Sequence, residues 1–412
     1  MEMKYFVMLC DGMADYPIAA LDNKTPMAVA KKPNMDALAQ KALVGKVRTV
    51  PPTMKPGSDV ANLAAMGFDP ESCYTGRSPL EAMSIGIDMK ETDIAFRCNL
   101  VTLSDEAVYG EKTMVDYSSQ EISTEEAAQL IAAVNKAFAD EEISFYAGIS
   151  YRHCMIWHEG PNGLNLTPPH DISDRVIGPY LPQNPKILAL MEKSYDILKD
   201  HPVNQARVAK GLRPANSIWL WGEGTRPAVP KFMDLFGLTG SVISAVDLIK
   251  GIGICTGFDV IEVEGATGNI HTNFANKGKA ALEEFQNGKD YVYVHVEAPD
   301  ECGHQGEMEN KILSIELIDR DILGPVVKGL QEIGEPFSVL VMPDHPTPLS
   351  TKTHAMDPVP FLIYRSNEEK EGVSTINEET AEATGVFFES GVLLGREFLK
   401  DALAKKNKVA NV

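Results

Sequence analysis

The chain has 412 residues, of which 44% are hydrophobic and 23% charged, and its formal net charge is −20. This length allows two domains with a sizeable core. The negative charge disfavours binding to nucleic acid or to an anionic membrane. No apolar run approaches the roughly 18 residues of a membrane span. Six scattered cysteines without a CxxC pair, and an N-terminus unlike a signal peptide, predict reduced thiols and a cytoplasmic protein.

Strand-like and helix-like segments alternate at both ends of the chain. The predicted elements are, in chain order, a strand at 4–10, a helix at 34–43, a strand at 45–50, a helix at 58–68, a strand at 289–298, a long amphipathic helical region at 307–333 and a buried strand at 337–342. This alternation favours an α/β fold in which helices cover both faces of a mostly parallel sheet.

The middle of the chain differs from its ends. Further strands are predicted at 93–103, 142–160 and 214–224, and the Pro- and Gly-rich stretch 160–185 is predicted to be mostly loop. We interpret 93–211 as an inserted cap domain, with 1–92 and 212–412 forming one discontinuous domain. The connections would be "TGRSPLEAMSIGIDMKETD" and the "HPVNQARVAKGLRP" region.

Three apolar strands end at residues that commonly bind metals. The first is followed by Asp11, the second by Asp300 and His304, and the third by Asp344 and His345. Ligands of open α/β sheets bind at the carboxyl ends of strands, and a spacing of four would put Asp300 and His304 on one helical face. Mixed carboxylate and imidazole ligands suit manganese, zinc or cobalt better than calcium.

Five other histidines lack such neighbours and are predicted to be structural residues. They are His153, His158, His201, His271 and His295. His295 alternates within a predicted strand and is expected in the core or on the sheet surface.

Ser58 has two compatible interpretations. It follows Pro-Gly and opens a predicted helix, so it could be an N-cap that accepts a backbone hydrogen bond. A helix N-terminus also stabilises negative charge, which would suit a nucleophilic or phosphorylated serine. The residues alone do not choose between the two.

Nine motifs together resemble the archaeal type of cofactor-independent phosphoglycerate mutase, a family within the alkaline phosphatase superfamily. They are "CDGMAD", "PNMDALA", "PGSDVANLAAMGFDP", "TGRSPLEA", "AFRCNLVTL", "PHDI", "EGATG", "EAPDECGHQG" and "MPDHPTP…THAMDPVPF", between about residues 4 and 365. The resemblance implies an alkaline-phosphatase-like α/β fold, with a mostly parallel sheet flanked by helices and an inserted α/β cap domain.

The resemblance also implies two divalent metal ions. In the family, one metal is held by residues that correspond here to Asp11, Ser58, Asp344 and His345. The second is held by residues that correspond to Asp300, His304 and His354. Manganese is expected, with zinc, cobalt or magnesium as alternatives.

The implied reaction is the interconversion of 3-phosphoglycerate and 2-phosphoglycerate, a step of glycolysis. Ser58 would accept the phosphoryl group and return it to the other hydroxyl of glycerate, without 2,3-bisphosphoglycerate. The cap would exclude water meanwhile. The candidates for binding this small phosphorylated substrate are Arg97, Arg152, His170, Asp171, Arg213 and Lys277.

The chain departs from the family pattern at three places. Cys10 replaces a glycine before Asp11, and Gln120 and Glu121 replace a glycine and a histidine in "SSQEIS", which leaves the role of that loop open. "WLWGEG" resembles a bacterial subgroup for which homoserine kinase activity has been proposed.

The alternative function is therefore a kinase that phosphorylates homoserine through the same serine and metals. No Walker-type motif is present, and "GIGICTG" follows a helix-like segment, which is the wrong order for a dinucleotide loop. Seven ligand-type residues, Ser58 among them, argue against a third class, a non-catalytic metal-binding protein. The oligomeric state is left open.

Overall fold

The computed structural model describes residues 3–410 and contains two compact units. The larger unit comprises the described residues up to Tyr74 and those from Ala228 onwards, and the smaller unit is Thr75–Pro227. The smaller unit is thus continuous in sequence and interrupts the larger one.

The described strands are, in chain order, β1 (Lys4–Cys10), β2 (Leu43–Val47), β3 (Asp93–Leu103), β4 (Met114–Asp116), β5 (Ile143–Tyr146), β6 (Arg152–His158), β7 (Ser217–Thr225), β8 (Gly240–Ile243), β9 (Asp259–Val260), β10 (Tyr291–Val296), β11 (Phe337–Met342), β12 (Val359–Arg365) and β13 (Phe387–Phe388).

The described α-helices are α1 (Pro26–Val29), α2 (Pro33–Ala39), α3 (Ser58–Ala65), α4 (Pro70–Cys73), α5 (Arg77–Ser84), α6 (Thr124–Phe138), α7 (Pro185–Leu198), α8 (Pro202–Ala209), α9 (Phe232–Phe236), α10 (Asp247–Thr256), α11 (Phe274–Gln286), α12 (Ala298–Gln305), α13 (Met308–Leu317), α14 (Gly324–Ile333), α15 (Glu378–Ala383), α16 (Gly391–Phe398) and α17 (Lys400–Ala410). Short 3-10 turns lie at Ala19–Leu21, Tyr109–Glu111, Pro169–Ile172 and Gly178–Tyr180, and a π-helical segment at Ile318–Leu323.

The sheet of the larger unit has eight strands in the order β13-β2-β12-β11-β1-β10-β8-β9. The pairs β11-β1, β1-β10, β10-β8 and β8-β9 are parallel, while β12 is antiparallel to both of its neighbours. The central strands β1, β10 and β11 are buried along their whole length, as expected of parallel strands covered on both faces. The predicted mostly parallel, helix-flanked α/β sheet is confirmed.

The smaller unit has its own antiparallel sheet and its own apolar core. β3 lies between β6 and β7, β5 pairs with β6, and β4 pairs with the end of β3. The core includes Phe96, Leu100, Met155 and Trp219 from the sheet and Leu130 from α6. The predicted strand at 142–160 is two strands of a hairpin, because residues 147–151 form the turn between β5 and β6.

The smaller unit extends beyond 93–211 at both ends. Residues 77–84 form helix α5, which packs against β3 and β7 and does not form an extended connection. Similarly, 202–209 is helix α8, and β7 pairs with β3 over most of its length. These contacts hold 75–92 and 212–227 in the smaller unit, and they are formed between segments far apart in sequence.

The helical region predicted at 307–333 is present as α13, the π segment and α14 in direct succession. The π segment carries the buried Asp319, whose carboxylate accepts hydrogen bonds from the backbone N–H groups of Asn34 and Met35, at 3.1 and 2.7 Å, in the first turn of α2. Within residues 3–410, no helix combines the length and the apolar character that crossing a membrane requires.

Candidate metal centre and active site

Three neighbouring parallel strands bring the predicted ligands to one edge of the larger unit's sheet. Asp11 directly follows β1, Asp344 and His345 follow β11 after one proline, and Asp300 lies in α12, which begins two residues after β10. Because β11, β1 and β10 are adjacent and parallel, their carboxyl ends meet.

Ser58 lies beside the first group of these ligands. Its Oγ is 3.3 Å from Asp11 Oδ2 and 3.3 Å from His345 Nε2. The same imidazole nitrogen is 3.4 Å from Asp344 Oδ2 and 3.8 Å from Asp11 Oδ1. Three of the four residues that the resemblance assigns to one metal therefore surround the Nε2 of the fourth, His345.

Asp300, His304 and His354 form the second group. His304 Nε2 is 3.2 Å from Asp300 Oδ2 and 3.0 Å from His354 Nε2, and His354 Nε2 is 3.5 Å from Asp300 Oδ1. The rings of His345 and His354 stack with centroids 4.0 Å apart. All seven predicted ligand residues thus belong to one contiguous cluster.

The electrostatics of the cluster favour a bound cation. Asp11, Asp300 and Asp344 are 1%, 5% and 0% exposed. Burial, together with the charges of Asp344 and Asp300, raises the pKa of Asp11 well above its usual value. Asp11 Oδ1 is buried without a hydrogen-bond partner, and an uncompensated buried carboxylate oxygen is costly unless it binds a metal.

The cluster offers three sets of ligand atoms within 4.8 Å of one another. They are Asp300 with His304 and His354, Asp11 with Asp300 and His345, and Asp11 with His295 and Asp344. The first set matches the three residues expected at the second metal. The other two share Asp11, so the geometry does not divide the remaining ligands as the resemblance does.

Ser58 is not the N-cap of its helix, contrary to one of the two sequence interpretations. Gly57 occupies the cap position, with an extended φ of −178°, and no side chain caps this helix end. Ser58 is the first residue of α3, so its hydroxyl is free to point towards Asp11 and His345. Asn62, one turn later, donates to Ser58 O at 2.8 Å and to Asp344 Oδ2 at 3.0 Å, which holds the helix start against the cluster.

His295 was missed as a site residue, because its alternation within a strand suggested a core role. It is fully buried, but Nε2 lies 2.9 Å from Asp11 Oδ2 and Nδ1 lies 3.1 Å from Ser244 Oγ. Burial lowers the pKa of His295 to about 3, so the ring is neutral. Ser244 Oγ also accepts from the Val246 N–H, so this serine and Asp11 hold the His295 ring from both of its nitrogens.

Asn62 and Tyr293 were also missed. Tyr293, in β10, is completely buried and donates to Asn62 Oδ1 at 2.7 Å. The contact requires β10 to lie under α3, which no local motif indicates.

The structure shows why the first motif has a glycine, Gly12, after Asp11. Its φ is +62°, and a Cβ there would lie 2.6 Å from Asp300 Cα. Its backbone N–H donates to Asp344 Oδ1 at 3.1 Å. Glycine alone combines this left-handed conformation with so close an approach of the two strand ends.

In the smaller unit, three of the predicted substrate-binding residues are linked through aromatic rings. The Arg97 guanidinium lies 4.4 Å from the ring centroid of Trp221, which is 5.4 Å from that of His170. Arg152, which is exposed, lies 5.7 Å from the ring centroid of Tyr151. Tyr117 lies between these two groups, and its ring centroid is 5.9 Å from that of Tyr151 and 6.1 Å from that of His170. We call Arg97, Arg152 and His170 with these rings the arginine–aromatic cluster.

The other three candidates have different surroundings. Asp171 is exposed, 3.5 Å from His170 Nε2. Arg213 Nη1 lies 2.9 Å from Asp116 Oδ2, so its charge is already paired. Lys277 belongs to the larger unit, where its buried Nζ donates to His295 O at 3.2 Å and burial lowers its pKa to about 8.

The loop whose role was left open has a strained backbone. Ser119, Gln120 and Glu121 have φ values of +51°, +57° and +49°, a conformation that is costly for residues other than glycine. Asp116 accepts from the Gln120 N–H at 2.8 Å, and Gln120 Oε1 accepts from the Arg213 N–H at 2.8 Å. The ion pair of Arg213 and Asp116 therefore supports this loop.

Comparison with known proteins identifies the family. A family model described as 2,3-bisphosphoglycerate-independent phosphoglycerate mutase matches residues 39–204. A probable enzyme of this name from Geobacter sulfurreducens is 48% identical over 396 residues, or 95% of this chain and 98% of that protein. One from Methanothrix thermoacetophila is 46% identical over 405 residues, or 98% of this chain and 100% of that protein.

Solved structures share the fold. A protein from Pyrococcus horikoshii aligns with a TM-score of 0.81 at 28% identity, covering 97% of this chain and 98% of that chain. The cofactor-independent phosphoglycerate mutase of Thermoplasma acidophilum aligns with a TM-score of 0.69 at 24% identity, covering 97% and 100%. Since relatives nearly half identical span almost the whole chain, it belongs to the 2,3-bisphosphoglycerate-independent phosphoglycerate mutase family.

Proposed function

We propose that the chain interconverts 3-phosphoglycerate and 2-phosphoglycerate through a phosphoserine at Ser58. The observation that carries the proposal is the position of Ser58 Oγ, 3.3 Å from both Asp11 Oδ2 and His345 Nε2 at the start of α3. The names of the Geobacter and Methanothrix relatives support the substrate.

The residues present fit two divalent cations. Three buried carboxylates, one with an oxygen that lacks a partner, need positive charge nearby, and the imidazoles supply neutral nitrogen ligands. One cation would be held by Asp11, Ser58, Asp344 and His345, and the other by Asp300, His304 and His354. When bound, such cations stabilise charge on a transferring phosphoryl group and favour ionisation of a serine hydroxyl. Mixed carboxylate and imidazole ligands suit manganese, zinc and cobalt, and of these we propose manganese, as the family resemblance implies.

Ser58 would act as the nucleophile. Its Oγ forms a bond to phosphorus as the bond between phosphorus and the substrate's 3-oxygen breaks. The proton that the Ser58 hydroxyl loses is balanced by the proton that the leaving 3-oxygen takes up, while Asp11 Oδ2 and His345 Nε2, each 3.3 Å from Oγ, keep the serine oxygen beside the cation ligands. The 2-oxygen of the retained glycerate then takes the phosphoryl group from Ser58, so no 2,3-bisphosphoglycerate is needed.

The arginine–aromatic cluster is our candidate for binding the anionic groups of the substrate. Arg97 and Arg152 provide planar donors suited to carboxylate and phosphate. The Arg97 guanidinium pairs with Glu81, with Nε 3.0 Å from Oε2. Burial lowers the pKa of Arg97, the charge of Glu81 opposes this, and the charges of Arg77 and Arg152 lower it further, so a bound anion would add to Glu81 in offsetting the repulsion between these arginines. Asp171, Arg213 and Lys277 lie outside the arginine–aromatic cluster and have less support for this role.

The last two parts of the proposal are the substrate class and the cellular location. A net charge of −20 supports a small-molecule substrate over nucleic acid. All six cysteines are free thiols, which supports the proposal of a reducing, cytoplasmic environment.

A side-by-side assay of manganese-loaded protein tests the proposal. One reaction contains 3-phosphoglycerate alone, and the other contains ATP and homoserine. We expect 2-phosphoglycerate in the first reaction and no ATP consumption in the second. Phosphohomoserine without 2-phosphoglycerate would overturn the mutase assignment in favour of the kinase.

A further inference from the structure

A buried lysine lies behind the ligand cluster. Lys311, in α13, has a completely buried side chain, and its Nζ donates to Asp15 Oδ2 at 2.8 Å, Thr347 O at 2.8 Å and Ala14 O at 3.3 Å. A lysine ammonium has three protons, and each has an acceptor here. Burying a charge is costly unless it is paired and fully hydrogen-bonded, so these contacts fix the positions of all four residues relative to one another.

The partner carboxylate joins the two loops that carry ligands. Asp15 Oδ1 accepts from the Tyr16 N–H at 2.8 Å, and its two oxygens lie 3.3 and 3.2 Å from the Leu349 N–H. Asp15 lies in the loop after β1, which carries Asp11, and Leu349 lies in the loop after β11. The pair of Lys311 and Asp15 therefore ties these loops together.

Thr347 transmits this constraint to two candidate ligands. Its hydroxyl donates to Asp300 Oδ1 and lies 3.3 Å from His345 Nδ1. A hydroxyl has one proton, so once it is donated to Asp300, the His345 contact requires Nδ1–H as the donor. That tautomer leaves the lone pair of His345 on Nε2, the nitrogen that faces Ser58 and Asp344.

The backbone of Thr347 is equally constrained. A Cβ on Gly303 would lie 2.4 Å from Thr347 O, so α12 contacts the carbonyl that Lys311 binds. Asp300 lies on the same helix, three residues earlier. The lysine thus sets the distance between the loop after β11 and the helix that carries Asp300 and His304.

We propose that Lys311 is a positioning residue, which acts through Thr347 to orient Asp300 and to keep the Nε2 of His345 unprotonated. The inference rests on the proposed metal centre, and it assigns a role to residues outside the seven ligands. Groups that hydrogen-bond to ligands typically change metal affinity by about 10- to 100-fold when they are removed.

The test compares Thr347→Val with Thr347→Ser in otherwise intact protein. Valine keeps the shape of threonine but removes the hydroxyl, whereas serine retains it. Binding of Mn²⁺ to metal-free protein is measured by titration calorimetry, and the thermal midpoint is recorded in parallel. We expect Thr347→Val to weaken Mn²⁺ binding about 10- to 100-fold and Thr347→Ser to restore affinity close to that of the parent.

Lys311→Met is the second variant, with Lys32→Met as its matched control. Lys32 is also buried, with Nζ 3.0 Å from Asp36 Oδ1 and 3.0 Å from Thr375 Oγ1, and those two partners bond to each other rather than to a candidate ligand. Both variants remove a buried charge and lower the thermal midpoint. Only Lys311→Met should also weaken Mn²⁺ binding.

The outcomes separate this inference from the proposed function. Parent-like affinity in Thr347→Val, or an equal loss in Thr347→Val and Thr347→Ser, overturns the role of the hydroxyl. An equal loss in Lys32→Met and Lys311→Met shows that destabilisation alone weakens binding, which also overturns it. A parent protein that binds no Mn²⁺ overturns the metal centre itself and this inference with it.

Discussion

The two compact units carry polar clusters of opposite charge, built in different ways. In the larger unit, three carboxylates and His345 are almost fully buried at the ends of adjacent parallel strands, beside the half-buried His304 and His354. In the smaller unit, the arginine–aromatic cluster includes an exposed arginine and is joined through ring contacts. The first arrangement is the one for which we propose cations, and the second is the one for which we propose anionic groups of the substrate.

The difference also concerns how firmly each cluster is held. Strand register and buried hydrogen bonds define the carboxylate cluster, so altering one ligand affects its neighbours. The arginine–aromatic cluster depends on side chains of separate elements, and each contributes more independently. Experiments on the two units should therefore give effects of different size.

Removal of divalent metals should have the largest effect. We expect a strong chelator to abolish interconversion of the phosphoglycerates, because the three carboxylates would then repel an anionic substrate, and we expect Mn²⁺ to restore it. The thermal midpoint should fall as well, since a ligand at 100 times its dissociation constant stabilises the native state by about 2.7 kcal/mol. If elemental analysis shows that the protein is metal-free and it is still fully active, the carboxylate cluster does not depend on bound cations.

Ser58→Ala should have the second-largest effect. We expect turnover to fall on the order of 10⁶-fold, the scale seen when a nucleophile is removed. Because Gly57 rather than Ser58 is the N-cap, helix α3 should persist in circular dichroism spectra, and Mn²⁺ should still bind. Turnover near that of the parent would rule out the phosphoserine.

Arg152→Ala should lower kcat/KM by roughly 30- to 150-fold, because a charged partner of the substrate is lost, while Mn²⁺ content stays unchanged. Arg175→Ala is the matched control, since Arg175 is exposed in the same unit and its guanidinium donates to Tyr180 OH at 3.2 Å. If both variants behave alike, the effect is one of general surface charge.

Arg213→Ala should have the smallest effect, a loss of at most about fivefold in kcat/KM. Arg213 pairs with Asp116 at a partly exposed position, and we expect its removal to loosen the strained loop at 119–121 without removing a substrate contact. Steady-state kinetics of the Arg213→Ala and Arg152→Ala variants, measured in parallel, test this expectation. If kcat/KM falls equally in both variants, Arg213 contacts the substrate directly.

The sequence predicted the carboxylate cluster more completely than its surroundings. Asp11, Asp300 and Asp344 each follow an apolar run, so the rule that ligands gather at strand ends was enough to bring them together. His295 and Asn62 gave no such signal. Their roles depend on which strands are adjacent and on where α3 lies, and these are consequences of long-range packing.

Lys311 and the unit boundaries were missed for a related reason. A lysine in an amphipathic helix normally marks the solvent face, and only the folded chain shows that this one is buried against Thr347. Likewise, α5 and α8 belong to the smaller unit because of side-chain packing against β3, β7 and α6, which the local pattern of "TGRSPLEA" or "PVNQARVA" does not encode.

The π-helical segment between α13 and α14 has an evolutionary consequence. Such a segment holds one residue more than an α-helix would place in the same length, and it directs Asp319 towards the start of α2. Deleting one residue from 318–323 would restore regular α-helical geometry but turn Asp319 away from Asn34 and Met35. Relatives that differ in length within this segment should therefore also differ at position 319. An alignment of relatives would show whether the two changes occur together.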